Sequence, residues 1–112
     1  MTKYTRLYTG PDGESHFEEV EVSMTHPDMG GQVSDQMRAE GVLFMERDSK
    51  GPWHVAPRRQ FLIITEGKLI MEIGSGEKRE FRPGDYLLAE DTSGRGHFSD
   101  CIRMKSIVVP LA

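Results

Sequence analysis

The chain has one cysteine, Cys101, in 112 residues, so it holds no internal disulfide and no cysteine-based zinc cluster. Any metal would have to rest on histidine, carboxylate or amide ligands. With no base beside it in sequence, Cys101 reads as a structural or surface thiol rather than a nucleophile. No apolar run approaches the ~18 residues of a membrane span, and the N-terminal MTKYTRLYTG lacks the hydrophobic stretch of a signal peptide. The expectation is a cytoplasmic protein without a membrane partner. Excess positive charge is missing as well: the net charge is -4 and the pI about 5.5, which leaves no basic field for a nucleic-acid backbone.

What remains is a folded chain of one domain, residues 1–112. Its 37% hydrophobic and 29% charged residues lie in the globular range, and the length suits a single core. Residues 16–24, HFEEVEVSM, set Phe17, Val20 and Val22 between glutamates, a half-exposed strand pattern. Residues 25–40 lose all period around a proline and a Gly-Gly pair and read as a long loop with one helical turn at 35–39. Strand character resumes at 42–47. A dense series follows: QFLIIT at 60–65, a tight EGK turn, LIMEI at 69–73, KREF at 78–81, YLLAE at 86–90 and a last strand at about 103–109. Short strands at even spacing, punctuated by Gly and Pro, predict an all-β antiparallel barrel or sandwich.

Two stretches carry a resemblance. WHVAPRRQFLIITEGKLIMEIG and FRPGDYLLAEDTSGRGH, together spanning about residues 53–98, are similar to the two sequence motifs of the cupin superfamily. His54 matches the first histidine of the first motif, Gly67 its glycine, and Gln60 falls where the family has a glutamate. Ala56 replaces the second histidine. In the second motif, PGD at 83–85 and His97 match. The resemblance implies a cupin double-stranded β-helix, a jelly-roll barrel with its ligand or metal inside near one mouth, and a homodimer. It also implies a metal set of His54, Gln60 and His97 for a divalent ion such as Fe, Mn, Zn or Ni, a set depleted by one histidine and one carboxylate.

Strand geometry reaches part of this independently. If residues 54–64 are extended, His54, Ala56, Arg58, Gln60, Leu62 and Ile64 share one face, and Trp53, Phe61 and Ile63 the other, although Pro57 marks a bulged or edge entry. A Gln oxygen is a neutral, weak ligand, so Glu72, Glu90 or Asp91 would have to supply any carboxylate. The alternative is a hydrogen-bonded His54 and His97 in a polar, metal-free cavity. Arg58 or Arg59 near that cavity suits a small carboxylate or phosphate, unless the pair is simply balanced by Glu40, Glu46 or Glu66. Gly94 and Gly96 would let the backbone approach a ligand. Glu90 and Asp91 would form an acid–base pair only if both entered one pocket, which neighbouring strand-end residues do not do. His16 and His26 read as surface residues, and the methionines as core or dimer filler. Three functions fit: a metal-dependent enzyme acting on a small polar molecule, a metal-free binding module for a small anion, and a structural dimer.

Overall fold

The structure is a computed structural model covering residues 1–112. It contains nine strands: β1 (Lys3–Thr9), β2 (Ser15–Glu21), β3 (Met24–Asp28), β4 (Gly31–Ser34), β5 (Leu43–Lys50), β6 (Gln60–Ile73), β7 (Lys78–Phe81), β8 (Tyr86–Ala89) and β9 (His97–Pro110). Seven of them form one sheet in the order β2-β1-β8-β6-β9-β5, with β7 also on β6, while β3 and β4 pair only with each other. All pairings are antiparallel except β1 with β8, so the expected antiparallel barrel is a mixed sheet. No helix is long and apolar enough to cross a membrane.

The frame of the fold is the long ladder between β6 and β9. Burial alternates strictly on both sides of Glu66–Gly67–Lys68, the signature of one face turned to a core. The expected EGK turn between two strands is therefore a bulge inside one 14-residue strand. Gly67 has φ 65 and faces Arg103, itself at φ 44. A Cβ on Gly67 would fall 2.1 Å from the Arg103 carbonyl oxygen. Only glycine lets the two strands bend together there, and the bend folds one ladder into two walls of a cavity. The inner faces carry a 13-residue core that includes Leu62, Ile64, Leu69, Met71, Leu87, Met104 and Val108. Cys101 belongs to it, as a buried thiol rather than a surface one. Burial pushes that thiol up, against a smaller opposing pull from the Arg47 charge, which disfavours the thiolate.

Three local readings are corrected. The segment 25–40 contains the β3–β4 hairpin and no helical turn at 35–39. Its two turn residues, Met29 and Gly30, both have positive φ (45 and 85), the geometry of a tight hairpin turn. HFS and 103–109 are one strand, β9. β1 carries no strand signal in the polar N-terminal sequence, since only Thr5 and Leu7 of its seven residues are buried. The hairpin and β5 are the exposed parts: β5 pairs with β9 alone, and Phe44 on it is 84% exposed.

Candidate functional site

The walls enclose a cavity of about 380 Å³ whose lining includes His54, Arg58, Gln60 and His97 together with Arg47 from β5. The expected inner face holds from Gln60 onward: Gln60, Leu62 and Ile64 are buried, with Phe61 and Ile63 on the outer side. Before Gln60 the alternation fails, because 54–59 is not a strand and Val55 and Pro57 line the cavity beside His54 and Ala56. His54 is positioned instead by a single bridge to β9. Its N–H donates to the His97 carbonyl at 2.9 Å, and the His97 N–H donates back at 2.8 Å. That bridge requires Gly96, where a Cβ would lie 2.2 Å from the His54 carbonyl oxygen. Gly94 likewise meets the Gly13 carbonyl, at 2.3 Å. Both glycines serve a close approach of protein backbone.

The two imidazoles lie with ring centroids 4.7 Å apart. His97 Nδ1 is 2.6 Å from Asp91 Oδ2, which also accepts from Ser15 Oγ at 2.6 Å, and Asp91 is wholly buried. His54 Nδ1 is 2.7 Å from the Pro52 carbonyl oxygen. Carboxylate and carbonyl oxygens only accept, so both rings carry a proton on Nδ1 and, when neutral, present the Nε2 lone pair. Chemically this is a pair of oriented acceptors, able to take a proton or a donor from a guest.

The other candidates separate. Arg58 Nε donates to Gln60 Oε1 at 3.0 Å, which leaves the terminal nitrogens of the guanidinium free. Arg59 and Glu90 lie outside the cavity in a surface cluster: Arg59 Nε donates to Glu90 at 2.6 Å, and Arg6 donates to the other carboxylate oxygen. Asp91, by contrast, is buried against Ser15 and His97. Burial pushes the Glu90 carboxyl up, but the hydrogen bonds from Arg6 and Arg59 outweigh it, and the net direction is down. His16 and His26 are exposed beside Asp12 and Asp35. Arg47 was missed. The alternation Leu43, Met45, Arg47 was available in a stretch already read as a strand, and all three line the cavity.

Because the folded-state carboxyl of Glu90 is depressed, its contribution is complete above the ordinary glutamate value and is lost as pH falls through the lower folded one. A Glu90→Gln variant is expected to lose about 1 kcal/mol at pH 7, as for a well-formed surface network. The gap to wild type closes under strong acid. Urea melts of both proteins across pH check this, and a gap constant with pH would contradict it.

The donor set does not fit the metal centre that the resemblance implies. Gln60 Oε1 is engaged by Arg58, and Asp91 stands behind the His97 ring on Nδ1. Glu72 lies toward Lys78 and Glu90 toward two arginines. No three His, Cys, Asp or Glu side chains come together as a ligand group. A guanidinium beside the two imidazoles also opposes a dication.

This curved, mixed all-β sheet around an inner cavity is the cupin fold. Two solved structures of small cupin-fold proteins are similar to it. One is protein NMB1881 from Neisseria meningitidis, at 16% identity over 69% of this chain and 84% of that one, with a TM-score of 0.52. The other is a putative ethanolamine utilization protein Q (EutQ) from Salmonella typhimurium LT2, at 18% identity over 99% and 96%, with a TM-score of 0.51. Neither a protein-family model nor a curated protein matches the chain.

Proposed function

We propose that this cupin is a metal-free binding protein for a small organic anion, held in the cavity between Arg58, Arg47 and the two imidazoles. One observation carries the reading. The chain has 18 acidic residues, and Arg6, Arg59, Arg79, Arg82 and Arg95 each sit on a glutamate, yet the cavity lining has two arginines and no carboxylate. Arg47 and Arg58 form no ion pair with the chain's own carboxylates. A guanidinium with free terminal nitrogens binds a carboxylate through two parallel charge-assisted hydrogen bonds. Twelve of the nineteen lining residues are hydrophobic, which favours a guest with an apolar body. The competing occupant is a divalent ion on His54 and His97.

A ligand that binds only the native state raises its stability, by about 2.7 kcal/mol at a hundred times its Kd. Small carboxylic acids are therefore expected to raise the melting temperature of chelator-treated wild type and to do so much less for Arg58→Gln and Arg47→Gln. No shift from any acid, with a clear shift from zinc, would overturn the reading. The proposal extends to a homodimer. The open edge of β5 with Phe44 exposed, and the hairpin paired with no other strand, are surfaces a second copy would cover, and sedimentation equilibrium reads that state.

A further inference from the structure

We infer that the guest is a hydroxy acid with an apolar side chain, a class that deepens the anion reading above and rests on it. Three features of the cavity converge. First, its donors and its acceptors line the same cavity. Arg58 and His54 come from the same short segment, and His97 is joined to His54 through the backbone bridge. A guest that satisfies both must therefore carry a hydrogen-bond donor as well as its anion. Second, the acceptors are fixed. With Nδ1 of His54 committed to Pro52 and Nδ1 of His97 committed to Asp91, the lone pairs of neutral rings can only be Nε2. His97 is 3% exposed, so a bound guest that covers its ring without a donor strands that acceptor. Third, beyond Arg47, Gln60 and Ser99 the rest of the wall is largely apolar, with Leu62, Leu69, Met71, Leu87, Met104 and Val108, which favours a guest with a hydrocarbon side chain. At about 380 Å³ the cavity is at the small end of ligand sites, roughly 300–1,000 Å³, which argues against a nucleotide or coenzyme.

The carboxylate would lie on Arg58, the hydroxyl would donate to an imidazole Nε2, and the side chain would cover the leucine and methionine floor. Calorimetric titration of the full chain with four probes tests this: leucic acid, isocaproate (no hydroxyl), lactate (no apolar side chain) and α-hydroxyisocaproamide (no charge). Leucic acid is expected to bind tightest, with isocaproate and lactate each weaker by about ten-fold or more. The amide should not bind measurably. His54→Leu should narrow the ratio between leucic acid and isocaproate, while Arg58→Gln should weaken both alike. Equal affinity for leucic acid and isocaproate would overturn the hydroxy-acid assignment and leave the anion reading standing. Failure of all three acids would overturn both.

Discussion

Asp91→Ala is expected to lower the unfolding free energy by about 3–5 kcal/mol, since it leaves two buried hydrogen-bond partners unsatisfied at about 1–3 kcal/mol each. Asp91 is fully buried and holds two partners on one oxygen, Ser15 Oγ and His97 Nδ1, both at 2.6 Å. Alanine strands both partners and leaves a void. Its other oxygen, Oδ1, has no hydrogen-bond partner, so the pair is not fully satisfied even in wild type. A melting temperature lower by on the order of 15 °C should follow for a domain of this size. Asp91→Asn separates charge from shape: it keeps the volume and should cost far less stability. If its amide nitrogen turns to His97, it reverses the ring's proton and removes the Nε2 acceptor from the cavity. An Asp91→Ala protein as stable as wild type would mean that the buried carboxylate does not hold the ring.

The second large effect is expected at Gly96. Alanine there must adopt φ 80, which costs about 1–2 kcal/mol, and its Cβ would sit 2.2 Å from the His54 carbonyl oxygen. Backbone cannot swing aside as a side-chain end can, so a further 1–3 kcal/mol of overpacking is expected, for a total of about 3 kcal/mol. Gly76 is the control. It has φ 90 with nothing within 4 Å of an added Cβ, so Gly76→Ala should show the conformational cost alone. Denaturant melts of both variants measure the difference. The Gly96 variant should also lose acid binding, because the displaced segment carries His54 and leads to Arg58. Equal losses at the two sites would refute the close approach.

Much of this was legible in the sequence, and what was not has physical reasons. The alternation of β6 and the glycine at 67 pointed to a β-barrel fold, and the resemblance to the cupin motifs, rather than an extended 54–59, is what put His54 and His97 at one cavity. EGK looked like a turn because Gly between charged residues suits both a turn and a bulge, and only the partner strand, bent at Arg103, decides which. Arg59 and Glu90 were placed near the pocket by proximity in sequence, yet each is drawn outward by a cross-strand ion pair with no local signature. The link between Asp91 and His97 depends on a loop whose path is set by Gly94 and Gly96 packing on other backbone segments. Those contacts join residues more than forty positions apart in the chain, and no local pattern encodes them.

The account stands most directly on what occupies the cavity. Calorimetry of leucic acid against protein exhaustively stripped of metal with chelator, repeated after one equivalent of zinc, measures it. One-to-one binding in the stripped protein, unchanged or weakened by zinc, is the predicted result. Binding that appears only once the ion is restored would contradict it and return His54 and His97 to the role of metal ligands.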